Sequence, residues 1–349
     1  MKQDLYLGID GGQSHTEAVI ADREGHILGR GRGGPSNHAE QPGGRERLRR
    51  AITDSVGSAL RAAGEFSIGS TIFAAAHCAM TGGADFKEEI IHSILRANQL
   101  EIGHDAPAAL VGATAGEPGI VVIAGTGSVA YGENKNGKCL RVGGWGYLFG
   151  DEGGGFWVAM QGVRRAMLAR DALSEPTMLA ELALEYFGSA DLQTLAMAVY
   201  REEITRDRFA SFAAHVQRAA TEGDRVARVI VAEAGSVLAK LAAIVARRLN
   251  FAPDEMRVAP VGGVFRGALV REAFVAVLNE ELPEARVVAP KFNPAIGALL
   301  FAYRAAGRVK DASLLKNLND HINARDSHEA TSQREVWKQK SYSPRGVAD

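Results

Sequence analysis

The sequence predicts an α/β protein built as two domains on one repeated plan. Three observations carry this. The chain has 349 residues, more than a single core ordinarily organises. Short apolar strands alternate with segments of helical periodicity. A strand, a glycine turn holding a hydroxyl residue and a returning strand occur twice, near residue 10 and near residue 126, which reads as a coarse internal duplication.

The first run, Leu5-Tyr6-Leu7-Gly8-Ile9-Asp10, is an apolar strand ending in an acid and then Gly11-Gly12. Thr16 to Asp22 and Ile27 to Gly31 follow, separated by the turn Arg23-Glu24-Gly25-His26, so the spacing predicts an antiparallel meander. Gly44 to Gly64 places Leu48, Ile52, Val56 and Leu60 on one helical face. A buried strand is expected at Thr71–Ala76, a helix around Phe86–Asn98 and a strand at Glu101–His104, stopping at Asp105. After the break at Gly116-Glu117-Pro118-Gly119, strands are expected at Ile120–Ala124 and Val129–Glu133. The remainder reads as mostly helical. Phe156, Met160, Val163 and Met167 share one face, and Arg225 to Leu249 forms a long helix with Val226, Ile230, Val237, Leu241 and Ile244 inward. A strand at Arg257–Val261 ends at Gly262-Gly263, and Asn293-Pro294-Ala295 opens a last apolar helix to about Ala306. The domains are therefore expected at 1–115 and 116–307, with 308–349 a polar tail that is partly disordered and the last helix able to pack back on the first domain.

A formal net charge of -1 gives no basic surface for nucleic acid or an anionic membrane. No signal-like segment opens the chain and no charge-free apolar stretch reaches membrane-spanning length. Two cysteines, Cys78 and Cys139, exclude a disulfide framework and fit a reducing compartment, so the expectation is a cytoplasmic protein.

Much of the glycine, 40 residues in all, falls in short clusters, and four glycine-rich turns each follow an apolar strand: Gly11-Gly12, Gly125-Thr126-Gly127-Ser128, Gly143-Gly144-Trp145-Gly146 and Gly262-Gly263. Glycine lets backbone approach a ligand, and successive N–H groups form an anion hollow. Thr16 and Thr126 add hydroxyls near two of these turns. One such turn is ordinarily a hairpin; four at strand ends point to nucleotide phosphates held without a Walker lysine, since no G-x-x-x-x-G-K-[ST] is present. Asp10, facing the first turn, is either a turn-forming acid or a Mg²⁺ ligand. Asp105, followed by Ala106-Pro107, is either a helix N-cap or a base that accepts a hydroxyl proton in phosphoryl transfer. In the segment GGWGYLFGDEGGGFW, Asp151-Glu152 either caps the following helix or binds vicinal sugar hydroxyls. Asn37, in the polar turn Pro35-Ser36-Asn37-His38, offers both a donor and an acceptor.

Taken in order, LGIDGGQSHT, VIAGTGSVAYG, GGWGYLFGDEGGGFW, PVGGVF and NPAIGALL resemble the BadF/BadG/BcrA/BcrD ATPase family, and within it the N-acetylglucosamine kinases, over roughly residues 5–306. The resemblance implies the actin-like (ribonuclease H-like) fold of the sugar kinase/Hsp70/actin superfamily: two duplicated domains with an interdomain cleft that closes on ATP and Mg²⁺. By it, Asp10, Gly11, Gly12 and Thr16 match the first phosphate motif, with Asp10 at the metal. Gly125, Thr126 and Gly127 match the second phosphate motif, and Gly262 and Gly263 the adenosine motif. Asp105 matches the catalytic base, while Asn37, Gly144, Trp145, Gly146 and Asp151 match positions at the amino sugar. The implied activity is phosphorylation of N-acetylglucosamine by a homodimer, with glucosamine, glucose or an N-acetylmuramyl sugar as alternative acceptors. The family also holds ATP-driven activators of radical dehydratases, whose iron–sulfur cluster needs two cysteines per subunit; the contexts of Cys78 and Cys139 argue against that reading.

Overall fold

A computed structural model describes residues 4–37, 39–64, 67–82, 85–308 and 312–325. His38 and the expected disordered stretch 326–349 lie outside them.

The first half forms β1 (Tyr6–Gly11), β2 (Thr16–Ala21), β3 (Ile27–Gly33), α1 (Gly44–Ala62), β4 (Ala75–Met80), α2 (Asp85–Ile94), β5 (Leu100–His104) and α3 (Asp105–Thr114). Its sheet runs β3-β2-β1-β4-β5, with β1–β2 and β2–β3 antiparallel and β1–β4 and β4–β5 parallel. The second half gives β6 (Gly119–Ala124), β7 (Ser128–Glu133), β8 (Cys139–Gly143), then helices α4 (Gly155–Arg170), α5 (Leu179–Phe187), α6 (Leu192–Tyr200), α7 (Arg206–Ser211), α8 (Ala213–Glu222) and α9 (Arg225–Leu249). It continues with β9 (Arg257–Val261), α10 (Ala268–Glu281), β10 (Arg286–Val287), α11 (Pro294–Ala305) and α12 (Ala312–Arg325). Its sheet order, β10-β9-β6-β7-β8, repeats the first with the same pattern of parallel and antiparallel neighbours. The duplication read from two strand–turn–strand units therefore extends to whole sheets. β8 is the strand expected before the Gly143-Gly144 turn, whereas β10, two residues at the opposite sheet edge, had no sequence signal strong enough to be expected.

Four local expectations are corrected. The strand placed at Thr71–Ala76 is Ala75–Met80, because its start is set by pairing of Ala75 with Tyr6 in β1 and not by β-propensity. On α4 the buried residues are Val158, Ala159, Gly162, Val163 and Ala166, with Phe156, Met160 and Met167 half-buried at the edge. On α9 Val226 and Ile230 are buried as expected, Val237 and Leu241 are half-buried, Ile244 is exposed, and alanines (Ala227, Ala234, Ala239, Ala242, Ala243, Ala246) supply half of the buried stripe. Small residues let α9 approach α10 closely, and by length and composition alone this helix could cross a bilayer, yet its stripe is packed in the core of the second half. The segment after Arg308, read as a polar tail, holds α12, whose Leu314 and Leu318 are buried with Val19, Ile27 and Tyr303. Leu318→Ala should cost about 2–5 kcal/mol in denaturant unfolding, the usual range for emptying a fully buried leucine site.

Two helices tie the halves together. α11 follows the second sheet in sequence but packs on β1, β4 and α3, burying Ile296, Leu299 and Tyr303. α3 packs Ala109, Leu110 and Ala113 against Val121 and Ala259 of the second sheet, while Ala108 meets Ala79 and Ala298. The N-terminus of α3 therefore stands at the seam between the sheets.

Candidate functional site

The first glycine turn closes β1 onto β2. The Gly12 amide donates to the His15 carbonyl at 2.9 Å. The β3–α1 loop folds over it: the Ser36 amide and hydroxyl both donate to the Gly12 carbonyl, at 3.2 and 3.3 Å, and the Thr81 amide donates to the Gly11 carbonyl at 2.9 Å. Asn37 is half-buried beside this anchor, its carbonyl held by Arg47 at 2.8 Å. Thr16 does not present its hydroxyl to the cleft as its place in the motif suggested. It pairs with Gly11 across the hairpin, is fully buried, and donates to the Gly34 carbonyl at 2.9 Å. The hydroxyl at the exposed tip is that of Ser14.

The second turn is held by the start of α4. The Gly125 amide donates to the Gly127 carbonyl, the Gly155 amide to the Gly125 carbonyl at 2.7 Å, and the Phe156 amide to the Thr126 carbonyl at 2.9 Å. Asp151 lies against this turn with positive φ, and a Cβ on Gly127 would stand 2.3 Å from its Oδ2. Its Oδ1 accepts from the Gly146 amide at 3.3 Å, and burial pushes its carboxyl above the ordinary range despite that bond. Neither Asp151 nor Glu152 caps α4; the N-cap is Gly154. The Gly144–Gly146 turn is thus fastened to the Gly125–Gly127 turn by one carboxylate. Gly144 and Gly146 both have positive φ, and the Gly144 carbonyl accepts from Arg141. Trp145 is 77% exposed. At the end of β9, Gly262 has φ 110° and lies against β6, where a Cβ would be 2.4 Å from the Ala124 carbonyl oxygen; Gly263 has open space around it.

Asp105 is the first residue of α3, half-buried, and makes no cap hydrogen bond; His104 holds the N-cap position. The capping role open to Asp105 is therefore not the one it plays. It stands near enough to Asp10 to raise that carboxyl, and near enough to Lys87 to favour the ammonium form there. Lys87 is buried at the start of α2 and donates to the Thr81 carbonyl, so it braces the strand end that receives the Gly11 carbonyl.

The Asp10 carboxyl is pushed up to about 8, first by desolvation and then by the negative charges of Asp105 and Glu17. Oxygen donors of this kind suit Mg²⁺, which commonly takes one or two carboxylates and fills its shell with water and phosphate. Among the described residues no group of three His, Cys, Asp or Glu forms a dedicated metal cage. The titration has a stability consequence. Folded Asp10 keeps its proton up to about 8, whereas the unfolded chain releases it near the ordinary carboxylate value, so stability falls as pH rises between them. Asp10→Asn should therefore melt above wild type at pH 7.5 without nucleotide and match it at pH 4; equal melting at both values would remove the buried-acid assignment.

The two turns meet. Ser14 Oγ lies 3.2 Å from Thr126 Oγ1, bringing the tip of the first motif onto the second across 112 residues of sequence. Ser14 Oγ also donates to Oδ1 of Asp207 on α7. Ser14 was missed, since Thr16 was expected to supply the first turn's hydroxyl. Asp207 had no sequence signal, because a six-residue helix in the helical segment between β8 and β9 delivers it. Cys78 is buried in β4, where burial pushes its thiol up to about 12, and Cys139 is exposed in β8 of the other sheet.

Comparison with known proteins shows the family and the fold. Residues 7–302 match the model of the BadF/BadG/BcrA/BcrD ATPase family. An N-acetylmuramic acid/N-acetylglucosamine kinase of Clostridium acetobutylicum is 30% identical over 85% of this chain and 97% of its own length. A crystal structure from Chromobacterium violaceum, provisionally named an N-acetylglucosamine kinase, is 27% identical with a TM-score of 0.71, covering 86% of this chain and 99% of that one. A ROK family glucokinase from Streptomyces griseus, solved with glucose and AMPPNP, shares the fold alone, at 19% identity and TM-score 0.56 over 87% of this chain and 99% of that one. The architecture is accordingly the actin-like one, and the chain belongs to the BadF/BadG/BcrA/BcrD ATPase family.

Proposed function

We propose that the protein is an ATP-dependent kinase that phosphorylates the C6 hydroxyl of N-acetylglucosamine. The observation that carries this is the meeting of two glycine–hydroxyl turns, one from each sheet, with Ser14 and Thr126 3.2 Å apart, beside a helix that starts with a carboxylate at the same seam. The phosphate oxygens lie against the Gly11-Gly12 and Gly125–Gly127 turns, where the Ser14 and Thr126 hydroxyls meet, and Gly262 and Gly263 border the adenosine. Asp10 would hold Mg²⁺, which would supply positive charge against the phosphates during transfer. Asn37, Asp151 and the Gly144–Gly146 backbone orient the sugar. Asp105 aligns the acceptor hydroxyl and takes its proton as the new P–O bond forms. Movement of the two halves toward one another excludes water, which competes for the phosphoryl group.

The named activities of the Clostridium and Chromobacterium relatives support an N-acetyl amino sugar as acceptor. A cytoplasmic homodimer belongs to the same reading, and light scattering of the purified protein checks the dimer. The decisive assay is coupled ADP release over N-acetylglucosamine, N-acetylmuramic acid, glucosamine and glucose. The expected result is the highest kcat/KM for N-acetylglucosamine. ADP release that no sugar stimulates would defeat the proposal.

A further inference from the structure

The contact between Ser14 and Asp207 has no part in the reaction as derived above. α7 is placed rigidly: its Phe209 is buried and its ring lies 5.0 Å from that of Phe156, whose amide donates to the Thr126 carbonyl. Thr205 caps the helix by accepting from the Arg208 amide, and Arg206, next to Asp207, lies 4.1 Å above the Tyr147 ring of the sugar loop. The Asp207 carboxylate is thereby set on the same scaffold as the second phosphate turn. There it takes a hydrogen bond from Ser14, the hydroxyl that in turn touches Thr126. An anionic oxygen accepting from a hydroxyl, at the junction of two glycine turns, is the arrangement a phosphate oxygen would make. Both Ser14 and Asp207 are exposed, so a ligand reaches them without local unfolding.

We propose that Asp207 holds the seat of a nucleotide phosphate oxygen at the Ser14–Thr126 junction, and that its carboxylate is displaced when a nucleoside di- or triphosphate binds. This rests on the reading of the two turns as the phosphate grip. The consequence is a deliberate weakening of nucleotide affinity: entering phosphate must take Ser14 away from a competing anion and then lie near that anion's charge. The same competition helps ADP depart after transfer. No covalent step is involved.

Calorimetric titration of the full chain tests it, using Mg·ATP, Mg·ADP and adenosine as ligands and Asp207→Asn and Thr126→Val as variants. Removing one negative charge from beside the phosphates should tighten Mg·ATP and Mg·ADP by about 5-fold, the upper scale of a solvent-exposed charge pair, and leave adenosine unchanged. Adenosine is the control that a merely structural role would fail, because a rearranged cleft would alter all three ligands alike. Unchanged or weaker Mg·ATP binding by Asp207→Asn, with Thr126→Val weakened, overturns the displacement and leaves the phosphate grip standing. Unchanged Mg·ATP binding by Thr126→Val overturns both. Asp207→Asn binding that weakens only when Mg²⁺ is present would make this carboxylate a metal ligand instead, which also overturns the proposal.

Discussion

Asp105→Asn should retain Mg·ATP binding and lose about 10³-fold in kcat for sugar phosphorylation, within the range ordinarily contributed by a positioned general base. The substitution keeps the side chain's shape and one hydrogen-bonding oxygen. It removes the oxygen that accepts the hydroxyl proton. The position supports a large and selective effect. Asp105 opens α3 at the seam, caps nothing, and has a charge that reaches both Asp10 and Lys87. Loss of that charge also relieves Asp10, so the variant should bind Mg·ATP no less tightly than wild type. Initial-rate kinetics paired with calorimetry separate the two effects. A variant that transfers within ten-fold of wild type removes Asp105 from the chemistry; one that loses nucleotide binding in proportion to rate makes it a structural residue of the cleft.

Gly297→Ala should destabilise the protein by about 3 kcal/mol or more, a large value for adding one methyl group. A Cβ at Gly297 would stand 1.8 Å from the Ala108 carbonyl oxygen and 2.8 Å from the Gly112 amide nitrogen. Gly112 faces the Asn293 carbonyl oxygen at 2.5 Å on the same measure, and Gly8 of β1 faces the Leu299 amide nitrogen at 2.3 Å. Every obstacle is backbone, so no side-chain rotation relieves it and α11 must move off α3 and β1. Because α3 also packs on Val121 and Ala259, the displacement reaches the second sheet and the start of α3 where Asp105 sits. Thermal and denaturant unfolding read the loss directly. A Gly297→Ala protein that melts with wild type would mean that α3 and α11 do not lie in backbone contact.

The glycine turns were legible because each is a local device. Strand, glycine and hydroxyl lie within a few residues, and glycine is required where φ is positive or another backbone comes close, as at Gly262. Asp105 and Asp10 were legible for the same reason, each ending a short apolar run. Which hydroxyl faces the cleft was not legible. Thr16 and Ser14 lie two residues apart, and only the pairing of Thr16 with Gly11 shows that the threonine turns inward while the serine takes the tip. The long helix α9 was found, and of its drawn inward face Val226 and Ile230 are buried and Val237 and Leu241 half-buried. Close packing against α10 added an alanine stripe to that face and left Ile244 exposed. The charged segment after Arg308 concealed α12, since two leucines one helical turn apart are too weak a pattern to stand against the surrounding polarity.

By itself the sequence determined the two-domain α/β plan, its duplication, the four glycine turns and the acids at the strand ends, because strand and turn preferences act over a handful of residues. Only the tertiary structure decided that Ser14 meets Thr126, that Asp207 joins them from a helix 193 residues away, and that α11 returns to the first sheet. Those partners are chosen by how two independently formed sheets are fastened through α3 and α11. That fastening depends on backbone contact between helices, which leaves in the sequence no mark beyond a few glycines and alanines.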